Sequence, residues 1–312
     1  MATTTPGKLS QDRVWLGITP TLWWNDDFLT IDIGIPFEQC ISEMALAGFV
    51  GCSIGHKYPK DPQTLREALA LRGLCISEPW VSTYFTMVNK AQTIHNVRQQ
   101  LRLLDELEKD RHDSRRADLV VAEFGRAVNP IPVALFPNCP TFSDQDWKLL
   151  TDGLNEIGRI AADAGRQLCY HPHLGTGVMH AADVDRLMRE TDSKYVHLLL
   201  DTAHLAAAGA DPLAVAKTHA VRIKHVHLKD MRAHVVSQVR DQHWSFQQGI
   251  EAGIFTVPGD GSLSCFPQII ETLASAGFAG WLVVEAEQDP AKATPLKYAK
   301  MARAYLHELL GW

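Results

Sequence analysis

The fold prediction depends most on residues 196–230, which read VHLLLDTAHLAAAGADPLAVAKTHAVRIKHVHLKD. It begins with the apolar run Val196–His204 and ends with the apolar run Ile223–Asp230, and a helical pattern lies between them. Asp211 followed by Pro212 is typical of a helix N-cap and its first helical position. A strand, a helix and a second strand in this order predict two parallel strands joined by a helical crossover.

The same alternation continues toward both ends of the chain. Gly48, Gly73, Gly165 and Gly277 each follow a helical pattern and precede a strand-like run, as glycine does after a helix C-terminus. Eight strand-like runs favour an α/β fold, a closed (β/α)8 TIM barrel, over an open sheet. They are Trp15–Pro20, Phe49–Gly55, Leu74–Trp80, Leu119–Gly125, Leu168–His173, Val196–His204, Ile223–Asp230 and Trp281–Asp289.

The domain organisation follows from this pattern. We interpret residues 1–12 as a flexible N-terminal tail and residues 13–312 as one catalytic barrel domain, since no linker composition divides them. The segments Val81–Lys90 and Met231–Ser264 are longer than minimal connections. Both follow strands, so we expect them at the C-terminal face, where barrel enzymes carry their sites.

Composition excludes several classes of protein. The chain of 312 residues has 46% hydrophobic residues and a net charge of −6, which argues against disorder and against nucleic acid as a partner. It has no glycine-rich phosphate loop of the common types and no apolar stretch long enough to span a membrane. Six cysteines without CxxC spacing indicate free thiols and a cytoplasmic location.

Four consecutive strands each place one polar side chain toward the barrel axis near the C-terminal end. These side chains are His171, Asp201, His227 and Glu285. Acids and imidazoles at this depth are costly to desolvate unless a cation binds them. Mixed nitrogen and oxygen ligands without thiolates suit Mn²⁺, Co²⁺, Fe²⁺ or Zn²⁺. The sequence therefore predicts a divalent metal site formed by these four residues.

A second layer of polar residues lies further out along the same strands. It contains His173, Lys229 and Glu287, with His204 three residues after Asp201. These four residues are candidates for acid–base catalysis or substrate contact, and second-shell hydrogen bonds or salt bridges are the alternative. His225, one layer deeper than His227, is interpreted as a core residue.

Further candidates for substrate contact lie on other strands. Side chains alternate along a strand, so Glu123 lies on the same face as Leu119 and Val121, and we expect this face to point to the axis. Glu287, Arg232 and Trp80 complete the candidate substrate-binding set, although packing is an equally good explanation of Trp80. Four histidines outside these strands are interpreted as surface or packing residues: His56, His95, His112 and His307.

Five motifs in the second half of the chain and two shorter segments near the N-terminus belong together. The motifs are Tyr170–Val178, Leu198–His204, Arg222–Asp230, Phe255–Gly261 and Trp281–Pro290, and the shorter segments are Trp24–Asp27 and Glu43–Phe49. Together they resemble the inosose dehydratases, which belong to the xylose-isomerase-like barrel superfamily, and the resemblance extends over nearly the whole chain. Two positions, Ser53 and Glu78, depart from the expected pattern; both lie at strand ends that we expect to line the mouth, and they are candidates for contact with substrate hydroxyls.

The resemblance implies a Mn²⁺- or Co²⁺-dependent lyase that dehydrates a cyclic polyol ketone, 2-keto-myo-inositol, through a metal-stabilised enediolate. Family ligands carry over onto Asp201, His227 and Glu285. His171 stands where the superfamily has Glu, so His173 or Glu123 is an alternative fourth ligand.

The catalytic roles remain open at this point. Glu285, His173 and Glu287 are candidates for the base, and His204 and Lys229 are candidates for the acid. A sugar isomerase or epimerase that acts on a ketose is the alternative function, because it needs the same metal and enediolate. A barrel without catalysis and a nucleic-acid binder are less consistent with the inward polar set and the acidic charge. A homo-oligomer is possible.

Overall fold

The computed structural model describes residues 9–87 and 89–312, and nine of the strands within them form one parallel sheet. The strands are β1 (Val14–Ile18), β2 (Gly51–Ser53), β3 (Cys75–Glu78), β4 (Trp80–Thr83), β5 (Leu119–Glu123), β6 (Leu168–Tyr170), β7 (Val196–Asp201), β8 (Ile223–Leu228), β9 (Asp230–Met231), β10 (Phe255–Thr256) and β11 (Gly280–Val284). Strands β9 and β10 form a separate antiparallel pair.

Helices connect the strands and pack outside the sheet. Apolar residues of the helices and of the outward strand faces form one large core. The helices are α1 (Phe37–Leu46), α2 (Pro62–Ala70), α3 (Lys90–Glu108), α4 (Leu135–Asn138), α5 (Asp144–Asp163), α6 (Ala181–Glu190), α7 (Thr202–Ala207), α8 (Pro212–His219), α9 (Ala233–Asp241), α10 (Phe246–Glu251), α11 (Phe266–Ser275) and α12 (Pro295–Leu310).

Pro79 explains why the sheet has nine strands instead of the eight predicted. The sheet order is β3-β2-β1-β11-β8-β7-β6-β5-β4, so its two ends are adjacent segments of the chain. Pro79 has no N–H group to donate to a neighbouring strand, so it divides one position of the barrel into two short strands, β3 and β4. Glu78 pairs with Ser53 on one side, and Trp80 pairs with Val120 on the other. The prediction of a (β/α)8 barrel is confirmed.

The barrel interior shows which faces of the strands point to the axis. Val120, Cys169 and Leu199 form a small cluster separate from the helix-facing core, which contains Val121. The expected inward faces of β6 and β7 are confirmed. The expected face of β5 is wrong, because Val120 and not Val121 faces the axis, so Glu123 points toward the surrounding helices.

The long excursion 231–264 folds over the C-terminal mouth of the barrel. It contains α9 and α10, and Phe246 and Phe255 are fully buried between it and the strand ends. The Phe255 ring centroid lies 4.7 Å from that of His204 and 4.3 Å from Lys229 Nζ. The excursion therefore covers part of the candidate site from within the same chain.

Residues 1–8 of the predicted tail lie outside the described residues. In the part that is described, no helix is both long and apolar enough to cross a membrane. All six cysteines, which the structure describes, are free thiols, and four of them are buried.

Candidate metal centre and substrate cavity

The four predicted metal ligands lie together at the C-terminal ends of β6, β7, β8 and β11. Asp201 Oδ2 is 3.4 Å from His171 Nε2 and 3.8 Å from His227 Nδ1. Glu285 Oε2 is 2.7 Å from His227 Nδ1. His171, Asp201, His204 and Glu285 also each offer a ligand atom within 4.8 Å of the others.

The two oxygens of Asp201 have different surroundings. Asp201 ends β7 and caps α7, and its Oδ1 accepts hydrogen bonds from the backbone N–H groups of Ala203 and His204. Its Oδ2 is buried and has no hydrogen-bond partner. Because an unpartnered buried carboxylate oxygen is costly, its position between two histidines fits a cation ligand.

His171 is oriented in the manner of a metal-binding histidine. Its Nδ1 lies 3.0 Å from the backbone oxygen of Pro172, to which it donates. The lone pair of Nε2 is then directed toward Asp201 Oδ2. A second-shell hydrogen bond of this kind fixes the tautomer and the ring orientation of a histidine ligand.

The charges around Glu285 favour a positive partner. Burial alone would raise the pKa of Glu285, but Lys229 and His227 hold it well below its usual value. Burial likewise would lower the pKa of His227, yet Glu285 and Glu78 raise it to about 10. The carboxylates therefore stabilise positive charge at this point, whether a proton or a metal ion carries it.

Lys229 organises a second cluster beside these residues. Its Nζ is fully buried and lies 2.8 Å from His204 Nε2, 2.5 Å from Glu287 Oε2 and 3.4 Å from Glu285 Oε2. Burial opposes the charged form of Lys229, but the two glutamates raise its pKa. Burial has the largest effect on Glu287 and raises its pKa to about 7, although the positive charge of Lys229 acts in the opposite direction.

His173 connects the two clusters. Its ring centroid lies 3.8 Å from that of His204 and 5.2 Å from that of His171. Its Nδ1 lies 2.9 Å from the Leu174 carbonyl oxygen, so its Nε2 carries the free lone pair. Burial lowers the pKa of His173 well below its ordinary value, which keeps the imidazole neutral. Trp80, 37% exposed, packs edge-on against His173 at 5.8 Å.

Two candidate substrate-binding residues are not brought to this site. The Glu123 carboxylate accepts hydrogen bonds from the side chains of Thr83 and Thr86 and from the backbone of Phe85 and Thr86. It holds the turn after β4 on the outer side of the sheet. Arg232 contacts Asp260 and backbone oxygens of the excursion, including that of Gly253.

A cavity of about 320 Å³ opens above the metal-ligand cluster. His173, His227, Glu285 and Glu287 reach its surface, whereas His204 and Lys229 lie behind them. The opposite wall comes from the loops after β1 and β2. The wall residues with polar side chains are Thr19, Thr21, Asn25, Asp26, Asp27, Ser53 and His56.

A family model described as a xylose isomerase-like TIM barrel matches residues 89–309. The chain is 46% identical over 302 residues to an inosose dehydratase of Geobacillus thermodenitrificans, which covers 96% of this chain and 99% of the relative. The chain belongs to the inosose dehydratase family. An inosose dehydratase of Clostridium botulinum is 43% identical over 96% of this chain and 98% of its own length.

Solved structures share the barrel fold at low sequence identity. The IOLI protein with a bound zinc atom aligns with a TM-score of 0.69 at 13% identity, over 95% of this chain and 98% of that chain. An L-ribulose 3-epimerase aligns with a TM-score of 0.65 at 18% identity, over 96% of this chain and 95% of that chain. These likenesses show the fold that this inosose dehydratase family member shares with them.

Sequence reasoning missed part of the site of this family member. His56, expected at the surface or in packing, lines the cavity and contacts Asp26. Asp26 and Asp27 belong to the motif Trp24–Asp27, which carried the resemblance without an assigned role. Glu78 was not missed in this way: it belongs to a strand end expected to line the mouth of the barrel, and it lies on the floor of the cavity with 2% exposure.

Proposed function

We propose that this protein is a hydro-lyase that dehydrates inosose, the cyclic ketone of an inositol. The proposal is supported by similarity to inosose dehydratases over 96% of the chain. It also rests on a buried set of imidazoles and carboxylates that opens into one cavity. The polar wall formed by Asn25, Asp26, Asp27 and Ser53 suits a small substrate with many hydroxyl groups.

A divalent cation, Mn²⁺ or Co²⁺, fits the residues present. His171, Asp201, His227 and Glu285 would hold it, and the unpartnered Asp201 Oδ2 is the observation that favours this set. When bound, the cation supplies Lewis-acid stabilisation of negative charge on substrate oxygens. The donor set contains imidazole and carboxylate but no thiolate, which suits these ions. The zinc atom of the IOLI protein indicates that the shared barrel accommodates such an ion.

His173 is placed to remove the proton next to the ketone. It lines the cavity, its Nδ1 is committed to Leu174, and its Nε2 is free to accept a proton. Breaking this C–H bond leaves an electron pair that is delocalised onto the ketone oxygen. The neighbouring C–O bond then breaks, and the hydroxyl group leaves as water once it has taken up a proton.

Glu287 is placed to deliver that second proton. It is the member of the Lys229 cluster that reaches the cavity surface, and Lys229 and His204 lie behind it. Glu287 gives its proton to the leaving hydroxyl group, and the ammonium of Lys229 stabilises the carboxylate that results. Glu287 is protonated again from solvent after the product leaves. The enol product tautomerises to a cyclic dione, so one water is released and no oxidant is needed.

The test separates the two proton transfers. With Mn²⁺ and 2-keto-myo-inositol, the protein is expected to form the enol and its cyclic dione tautomer, and the absorbance of the conjugated enol follows the reaction. In D₂O, Glu287→Gln should still exchange the proton beside the ketone but should lose water at least 100-fold more slowly. His173→Asn should lose both reactions. Asp26→Asn, on the opposite wall, is the control and should keep the ratio of exchange to water loss.

The alternative function makes a different prediction. A ketose isomerase or epimerase would convert an open-chain ketose without loss of water. That activity, combined with no turnover of the cyclic ketone, would contradict the proposal. Equal loss of exchange and dehydration in Glu287→Gln would contradict only the role of Glu287.

A further inference from the structure

A second group of possible ligands lies one layer below the proposed metal centre, on the floor of the cavity. We propose that Glu78, His225 and His227 bind a second divalent cation, of the type that accepts imidazole and carboxylate ligands. One ligand atom from each of these residues lies within 4.8 Å of the others. The inference does not depend on which substrate the protein dehydrates.

The polar atoms of this group are buried without partners. Glu78 is 2% exposed, and neither of its carboxylate oxygens has a hydrogen-bond partner. The Nε2 atoms of His225 and His227 also have none. Four unpartnered buried atoms at one place are rare in folded proteins, because each loses its hydration without compensation. A ligand that satisfies all four at once explains their convergence.

Both histidines are oriented toward Glu78 in the same way. His225 Nδ1 lies 2.9 Å from Asp118 Oδ2, and His227 Nδ1 lies 2.7 Å from Glu285 Oε2. An imidazole that donates from Nδ1 to a carboxylate has its lone pair on Nε2. Such carboxylate–histidine pairs orient histidine ligands in metal sites. In the neutral form that a metal ligand requires, the Nε2 lone pairs of both rings face the carboxylate of Glu78. A cation among these three groups removes the repulsion, and it displaces the second proton that the carboxylates otherwise hold on His227.

The spacing also fits a cation. Glu78 Oε1 is 3.6 Å from His227 Nε2, and Glu78 Oε2 is 3.6 Å from His225 Nε2. These distances are too long for hydrogen bonds. Ligands about 2.0–2.2 Å from a tetrahedral ion lie roughly 3.4 Å apart, which matches the observed separation. Two histidines and one glutamate leave a position open, and Glu78 and His227 both line the cavity.

His227 lies between the two centres. Its Nδ1 faces Asp201 and Glu285, and its Nε2 faces Glu78. If only the lower ion is bound, Nδ1 keeps its proton and donates to Glu285; if both ions are bound, His227 would lose both ring protons and bridge the two centres as an imidazolate. Glu78 and His225 are therefore ligands of the lower centre alone, whereas His171 is a ligand of the upper centre alone. This assignment extends the interpretation of His225 as a core residue, because a fully buried side chain can also be a ligand.

Metal content tests the proposal directly. Protein stripped with a chelator is loaded with Zn²⁺ or Co²⁺, desalted and analysed for metal per chain. We expect two equivalents in the wild type and one in Glu78→Gln and in His225→Gln. His171→Gln should also retain one equivalent, bound at the lower centre. Circular dichroism of the metal-free proteins checks that the variants are folded.

The outcomes separate this proposal from the proposed function. One equivalent in the wild type overturns the second centre whatever the variants do, and it means that additional protons on the histidines satisfy Glu78. Two equivalents retained in both Glu78→Gln and His225→Gln overturn it as well. Dehydration is measured on the same samples, so a failure of the reaction with two bound equivalents counts against the function alone.

Discussion

Asp201 illustrates how one side chain can serve both the fold and the chemistry. Its Oδ1 caps helix α7, while its Oδ2 is directed at His171 Nε2. An asparagine there keeps the capping oxygen, and its amide can donate to His171. An alanine loses both functions, and losing the cap alone costs about 1 kcal/mol.

We therefore expect Asp201→Asn to separate metal binding from stability. Its affinity for Mn²⁺, measured by calorimetry, should fall by more than about 10–100-fold, which is the usual effect of losing an outer-shell partner. The free energy of unfolding of the metal-free protein should change by less than about 1 kcal/mol. Asp201→Ala should lower both quantities. Unchanged affinity in Asp201→Asn would remove Asp201 from the ligand set.

His197 gives a pH prediction at the opposite end of the same strand. Burial, followed by the charges of Lys224 and Arg222, lowers the pKa of His197 to about 4. Between pH 6.5 and 4 the unfolded chain takes up a proton on this residue and the folded chain does not. The free energy of unfolding therefore falls with decreasing pH in this window, by about 1–3 kcal/mol from this residue.

Denaturant unfolding across this pH range checks the contribution of His197. His197→Gln should be flatter than the wild type between pH 6.5 and 4, and the two slopes should agree above pH 7. His95→Gln, on the exposed side of α3, is the control and should keep the wild-type slope. A slope in His197→Gln as steep as that of the wild type would show that other groups cause it.

Strand β5 shows what could and could not be predicted from the sequence of a single element. Its run Leu119–Ala122 is apolar on both faces, because helices cover one face and the barrel interior covers the other. The hydrophobicity of β5 therefore does not show which of its faces points to the barrel axis, and Glu123 was assigned to the wrong face. Asp118 was the informative residue, since it contacts His225 in the barrel interior.

The strands with histidines were predictable for the opposite reason. On β8, His225 and His227 alternate with Val226 and Leu228, so one face is polar and the other packs on helices. A regular alternation fixes both faces at once. The loops after β1 and β2 have no such periodicity, and the roles of Asp26 and His56 depend on where each loop folds. Sequence reasoning therefore predicted the strand side of the site and missed the loop side.

Asp230 fixes the excursion over the site. Its Oδ1 accepts from the backbone N–H groups of Met231 and Leu263, and its Oδ2 accepts from those of Gly259 and Gly261. A side chain at Gly261 would meet the Asp230 carboxylate at 2.3 Å, so only glycine fits there. One carboxylate thus joins the two ends of a long loop.

Asp230→Asn should loosen this loop. The amide places a donor opposite backbone donors, which costs about 1–3 kcal/mol. Hydrogen exchange followed by mass spectrometry should show faster exchange in residues 255–263, with the strands of the barrel unchanged. Asp260→Asn, which disturbs only the contact with Arg232 and Thr256, is the matched control. Protection of residues 255–263 equal to the wild type would contradict the anchoring role.

The barrel as a whole brings negatively charged side chains together near its axis. Glu78, Asp118, Asp201 and Glu287 are all buried, and of these Glu287 pairs with the buried ammonium of Lys229. A closed barrel positions these groups from separate strands, and the covalent chain prevents them from moving apart. The folded protein is therefore expected to gain stability from any cation that binds there and not to the unfolded chain.

Thermal unfolding with and without metal tests this expectation. At a free Mn²⁺ concentration about 100 times its Kd, one bound ion adds about 2.7 kcal/mol to the free energy of unfolding. For a barrel of this length, that ion should raise the Tm by about 4 °C, because the unfolding entropy scales with chain length. A second ion should raise the Tm further, but not by an independent amount, because the two centres share His227. The chelated protein should unfold at the lower temperature, and added Mn²⁺ should restore the Tm. Mg²⁺, which prefers oxygen ligands, is the control and should give a smaller rise. A Tm that is independent of Mn²⁺ at every concentration would mean that Mn²⁺ does not bind preferentially to the folded protein, which would contradict the expectation that it stabilises the buried carboxylates.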